Sequence, residues 1–304
     1  MVAFTFREQF PMLGARGRPL DFVPTAQSKE IAAELEELGY GAIWLPEMAG
    51  RDVFVHLCHL LSATRTMLGA TGIASMWARD SMAMSCAARA LTEAFPERVV
   101  VGIGVSHENL VRDVRGHDFR QPLSSLRSYL EAMDKAPYRA ERPSTPVHRV
   151  VGALGPAMLS LAAEKTDGAH PYLVPTQHTA WARNILGPTA LLCPDQMVVL
   201  ESDRRKAMEI ARSRIGVYLG QPHYTNNLKR FGYTEDDFRD GGSDRMVHAL
   251  VAMGSLEDIA QRVKEHLELG ADHISVQPLT EEPRGVPLWQ WRELAPALAG
   301  LRRQ

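Results

Sequence analysis

The feature that most constrains this chain is a repeated rhythm of amphipathic helix, glycine and short apolar run. Its clearest instance is TAQSKEIAAELEELGYGAIWLPE. Ile31, Leu35 and Leu38 recur at the spacing of a helix with one buried face. Ser28 or Thr25 is the candidate cap at its start, and Gly39 sits where a left-handed C-terminal cap belongs. GAIWLP then reads as a buried strand, so the segment is the αβ half of a βαβ unit.

The rhythm predicts further pairs: helix Asp52–Thr64 with strand Met67–Ile73, and helix Asp80–Phe95 with strand Arg98–Gly104. Helix Pro122–Met133 precedes strand His148–Ala153, and helix Pro156–Lys165 precedes GAHPYLV. Helix Thr176–Leu186 precedes DQMVVLE, and helix Leu256–Leu269 ends at Gly270 before DHISVQPL. The strands are short and apolar throughout, as parallel strands covered by helices must be. Seven are read in this way, with Ala3–Phe6 a weak candidate for an eighth. That number in 304 residues favours an α/β fold, a (β/α)8 TIM barrel, over an open doubly wound sheet. No Gly-, Ser- or Pro-rich linker divides the chain, so residues 1–304 read as a single domain. Residues 202–254 are too long for a simple crossover. They hold helical stretches such as NNLKRFG and DRMVHALVAM, which predicts an insertion near the barrel mouth.

A formal net charge of −2 offers nothing to a nucleic acid or an anionic membrane. No run approaches the roughly 18 apolar residues of a transmembrane helix. The three cysteines, Cys58, Cys86 and Cys193, are scattered and odd in number, which fits neither a disulfide framework nor a zinc site. Together these features lead us to expect a cytoplasmic protein acting on a small molecule.

VVVGIGVSH invites a nucleotide-loop reading, but a dinucleotide fingerprint needs glycine where this chain has His107. As a strand, it places Gly102, Gly104 and Ser106 on one face. Glycine inside a strand either relieves crowding in the barrel centre or lets a flat ring approach the backbone. His107 follows at the strand end, where barrel enzymes place their chemistry; it is a candidate acid or base, or else a surface histidine. Trp77 and Arg79, between a strand and a helix capped by Asp80, are either pocket groups or incidental loop residues. Gly155 and Pro156 open a helix whose N-terminus is free for an anion, a weak signal alone. His170 and Tyr172 alternate along the next strand, either into a pocket or into the core. His56 and His59 share a helix without an evident third ligand, so no metal site is expected there.

TGIASMWARD, a helix, FPERVVVGIGVSHENL and RGHDF together resemble the luciferase-like monooxygenase superfamily. Within it, the chain looks most like the actinobacterial branch of F420-dependent oxidoreductases. ELGYGAIWLPE, GRDVFVH, ALGPAMLSLAAEKTDGAHPYL, YTNNLKRFGYTEDD and GADHISVQPL extend the likeness across about residues 21 to 280. The resemblance implies a TIM barrel with a late insertion, a homodimer, and a flavin-like ring at the C-terminal mouth. It implies a cis peptide at Gly72–Ile73 backing that ring, followed by Ala74 and Ser75. Gly104, Val105 and Ser106 would flank the cofactor, with Gly155 and Pro156 facing its phosphate.

Sugar-phosphate-oxidising relatives carry a glutamate where this chain has His107, and an Asp-His pair where it has Glu47 and Met48. Their mechanism therefore does not transfer residue by residue. GARGRP is also a poor central strand, because Pro19 and two arginines do not suit a barrel interior. Either Val2–Phe6 supplies the first strand, or the barrel is distorted there. The expectation is an oxidoreductase moving hydride between coenzyme F420 and a small organic substrate, with His107 or Glu47 handling the proton. An FMN-dependent monooxygenase and a non-catalytic ligand-binding barrel are the alternatives.

Overall fold

The computed structural model of the protein describes residues 6–301. Eight parallel strands form its centre: β1 (Leu13–Arg16), β2 (Ala42–Leu45), β3 (Leu68–Thr71), β4 (Val99–Gly104), β5 (His148–Val151), β6 (Gly168–Ala169), β7 (Asp195–Val199) and β8 (Ile274–Pro278). β1 through β6 pair in chain order, and β8 pairs with both β7 and β1. Leu191–Leu192 pairs with β6, and the ladder continues through Cys193 N–H to Ala169 O and Asp195 N–H to Pro171 O. These bonds close the sheet into a TIM barrel.

Local chemistry sets the helices around it. Asp52 caps Val53–Leu61 by accepting from the N–H groups of Phe54 and Val55, and Asp80 caps Ser81–Ala94 through Ala83 N–H. Ser255 and Asp258 form a reciprocal capping box on Leu256–Glu268. Gly39 (φ +91°) and Gly270 (φ +99°) turn the chain out of their helices in the left-handed region. The expected cap at Thr25 or Ser28 is corrected. Pro24 occupies the cap position, and the Ser28 hydroxyl donates to Thr25 O instead.

Strand alternation separates two layers. Ala15, Ile43, Leu45, Val101 and Ile103 face outward into a core shared with the helices. Inside, Trp44, Ala42, Ala70, Val100, Val150, Leu191 and Phe10 fill the lower barrel. Above them the interior turns polar, with buried Arg16, His170, Asp195, Ser275 and Gln277.

The first strand differs from expectation. Leu13–Arg16 is a central strand, while Phe6 belongs to a helical turn and Ala3 lies outside the described residues. Arg16 is tolerated inside because His170, Asp195 and Tyr172 receive it, and Pro19 lies beyond the strand in a 3-10 turn, Arg18–Phe22. DRMVHALVAM is also corrected. Its helix stops at Leu250, and Val251–Met253 forms a short strand along β7. Helices Arg204–Leu219, Pro222–Lys229 and Asp244–Leu250 pack on a separate apolar cluster that includes Ile215, Tyr224, Leu228 and Met246. Among the described residues no helix is long and apolar enough to cross a membrane.

Candidate functional site

The C-terminal strand ends open into one cavity with about 920 Å³ of empty space counted out to its mouth. Much of that space is open to solvent, and the cavity's place at the strand ends is where barrel proteins bind their ligands. Of the residues singled out in the sequence, Glu47, Gly72, Ile73, Gly104, Val105, Ser106, His107, His170 and Tyr172 border it.

Its back wall is the segment between β3 and β4. The Gly72–Ile73 peptide is cis. Ala74 and Ser75 continue alongside β4, paired with Ile103 and Gly104, and are buried rather than cavity-lining. The glycines of β4 have a local cause. A methyl group on Gly102 would lie 2.1 Å from Thr71 O, and one on Gly104 would lie 2.7 Å from Ile73 Cδ1. The thinned strand therefore admits Thr71 and Ile73, and a bound ring would meet Ile73 before it met Gly102.

At the floor, His170 Nδ1–H donates to Cys193 O (2.6 Å), which leaves Nε2 to accept from Arg16 Nη1 (2.9 Å). Burial, followed by the Arg16 charge, holds His170 well below its ordinary pKa, so it is neutral. Arg16 Nη1 also lies 3.4 Å from Asp195 Oδ2, which accepts from Ser275 Oγ at 3.0 Å. Burial raises Asp195 to about 6 against the pull of Arg16. The Arg16 guanidinium sits 5.1 Å from the centre of the Tyr172 ring, whose hydroxyl donates to Gln277 Oε1 (3.1 Å).

At the mouth, Ser106 takes a left-handed conformation (φ +60°) ahead of His107. His107 is half-buried, and its buried Nδ1 has no hydrogen-bond partner among the described residues. Burial lowers its pKa, leaving a neutral ring at pH 7 with one N–H and one lone pair. The insertion forms the roof. His223 stacks against His107 at 5.3 Å, with Tyr224 at 5.8 Å and Tyr218 at 6.2 Å.

Glu47 borders the cavity, but its carboxylate is engaged. It accepts from Ser75 N–H (2.8 Å) and from both terminal nitrogens of Arg79, which also pairs with Asp52 at 2.9 Å. Arg79 is thus a clamp on Glu47 and does not line the cavity. Trp77 also lies outside it, and its indole N–H donates to Val105 O (2.9 Å), fixing the loop before His107. Gly155 and Pro156 stand just beyond the cavity, after the lining residue Leu154. The Arg230 guanidinium lies 3.7 Å from where a Gly155 side chain would begin. His56 pairs with Asp21 (3.1 Å), and among the described residues no three metal-ligating side chains stand together.

Arg16, Arg18, Tyr218, His223, Tyr224 and Gln277 were not singled out in the sequence. The run YLGQPHY, dense in aromatic and imidazole groups within an otherwise polar insertion, was the available signal for three of them.

An eight-stranded parallel barrel with a cavity at its C-terminal mouth defines a TIM-barrel protein with its site where barrel enzymes carry theirs. The chain belongs to the luciferase-like monooxygenase family, whose profile matches residues 1–273, and it is a luciferase-like oxidoreductase. A Mycobacterium tuberculosis relative, provisionally named a coenzyme F420-dependent oxidoreductase, is 24% identical over 87% of this chain and 90% of its own. Among solved structures, the coenzyme F420-dependent tetrahydromethanopterin reductase of Methanopyrus kandleri superposes with a TM-score of 0.75 at 15% identity. It covers 93% of this chain and 96% of its own. A type II Baeyer–Villiger monooxygenase component from Pseudomonas putida, solved with FMN, gives 0.72 at 13% identity, covering 94% and 96%. At these identities the two structures establish the fold.

Proposed function

We propose that this protein is an F420-dependent oxidoreductase that transfers hydride between the deazaflavin and a small organic substrate. The observation that carries the reading is His107, a neutral imidazole at the edge of the cavity whose buried Nδ1 has no partner among the described residues. The mycobacterial relative supports the choice of cofactor. The residues fit such a group. Ile73 and the Gly104–Ser106 backbone offer a wall for a flat ring, and the helix N-terminus at Gly155 and Pro156, with Arg230 beside it, suits a phosphate.

When bound, the cofactor supplies the hydride acceptor or donor. His107 takes the proton from the substrate's hydroxyl when that carbon is oxidised and returns it in the reverse direction. Neutral His107 is in the right state to act as a base near pH 7. Tyr218, His223 and Tyr224 close over the reacting atoms and limit water. Glu47, bound on both oxygens, holds the loop through Ser75 rather than moving a proton.

A second reading, an FMN-dependent monooxygenase, is favoured by the FMN-bound neighbour of nearly equal likeness. Titrating the cofactor-free protein with F420 and FMN separates the two. Micromolar binding of F420 supports the first reading. Binding of FMN alone, with oxygen uptake when the flavin is reduced, overturns it.

A further inference from the structure

At the floor of the cavity a guanidinium is only loosely held by its counter-charge. Arg16 is 8% exposed, yet its Nε and Nη2 have no hydrogen-bond partner among the described residues, and its side chain borders the cavity. Its Nη1 is shared between a neutral imidazole and a carboxylate 3.4 Å away, a long separation for an ion pair. Arg18 borders the same cavity with no ion-pair partner among the described residues. The acid on the lining, Glu47, is matched by Arg79. His107 and His170 are neutral, so among the described residues Asp195 is the one counter-charge beside Arg16. The unused donors open onto the cavity, where a bound anion can take them in place of water. The planar fork of Arg16 suits a carboxylate or another delocalised oxyanion.

We infer that Arg16 is an anion-binding residue at the cavity floor, taking the planar oxyanion of a bound molecule, with Asp195 as the internal counter-charge that this anion displaces. The inference rests on the cavity being the site of the chemistry proposed above, and it adds the class of group recognised there. A carboxylate on the substrate and the anionic ring edge of a reduced flavin or deazaflavin share this chemistry.

The test measures two bindings by calorimetry in wild type, Arg16→Gln, Arg16→Lys and Asp195→Asn. The first is benzoate binding to cofactor-free protein, and the second is binding of oxidised and reduced FMN and F420. If the source is a substrate carboxylate, Arg16→Gln weakens benzoate binding by about 10-fold or more, the worth of one charge-assisted hydrogen-bonded contact. Arg16→Lys restores part of it, and Asp195→Asn tightens it. If the source is the cofactor ring, benzoate is indifferent. Arg16→Gln then lowers the ratio of reduced to oxidised cofactor affinity by a similar factor, while Asp195→Asn raises it. Unchanged benzoate affinity and an unchanged ratio in Arg16→Gln overturn the inference. Should Arg16→Gln fail to fold, no change in either quantity in Asp195→Asn overturns it equally, because a misfolded protein would not gain affinity. The benzoate arm needs no cofactor, so it stands or falls separately from the choice of F420.

Discussion

His107 and Glu47 both border the cavity, yet their surroundings assign them different work. Nothing among the described residues satisfies His107 Nδ1, whereas each Glu47 oxygen already has a donor. His107→Ala is therefore expected to cut turnover by at least ~100-fold with little loss of stability, as removal of a general acid or base does. Steady-state kinetics beside a urea melt checks both halves. Gly102→Ala should act in the opposite sense. A methyl group 2.1 Å from Thr71 O forces the back wall to shift, costing about 1–3 kcal/mol, and the denaturation midpoint should fall even when cofactor is absent. The place of His107 at the cavity border was legible because it follows β4, a strand of clear periodicity, by three residues. Arg16 was not, because the partners that make it acceptable, His170 and Asp195, lie more than 150 residues away in the chain.

At the level of elements, legibility followed punctuation. Asp52, Asp80 and Ser255 sit at their helix starts and Gly39 and Gly270 at helix ends, each with a local bond or backbone angle that sequence alone implies. Val251–Met253 was missed because helix Asp244–Leu250 runs straight into it without glycine or proline. Pairing with β7, a long-range event, decides that boundary. The insertion depends on Asp237, which accepts from Thr234 N–H (2.8 Å), Ser243 Oγ (2.6 Å) and Arg245 Nε (2.8 Å). Asp237→Ala should destabilise this region by about 2 kcal/mol, on the scale of lost caps and charge-assisted bonds. Limited proteolysis should then cut first between residues 222 and 245, while the barrel persists. Because Tyr218, His223 and Tyr224 are carried by the insertion, ligand affinity should fall with it.

For the whole molecule, acid is the expected weakness. His178 and His266 are held neutral by burial, at about 4 and about 3. His266 also accepts from Thr179 Oγ1 (2.7 Å) while donating to Gln196 Oε1 (2.9 Å), so a second proton would break a bond. With His170, three buried imidazoles refuse protons that the unfolded chain accepts below the ordinary histidine value of 6.5. Each costs about 1.4 kcal/mol per pH unit as pH falls from there toward its folded value. Asp195, raised to about 6, works the other way, because below that pH the folded state keeps a proton the unfolded chain has shed. The balance of three against one is a net loss of stability on the order of 3 kcal/mol per pH unit between roughly pH 6 and 4.5. Urea midpoints across that range check it, and Asp195→Asn should make the loss steeper.

The plugged lower barrel bears on kinetics. Phe10, Trp44 and their neighbours fill the end opposite the mouth, so nothing enters the cavity through the bottom of the barrel. Two molecules sharing such a space cannot pass each other. If one of them rests against Arg16, it is expected to arrive first and depart last, so initial-rate kinetics should show an ordered addition. An excess of the second molecule, by occupying the mouth too early, would then block its own reaction.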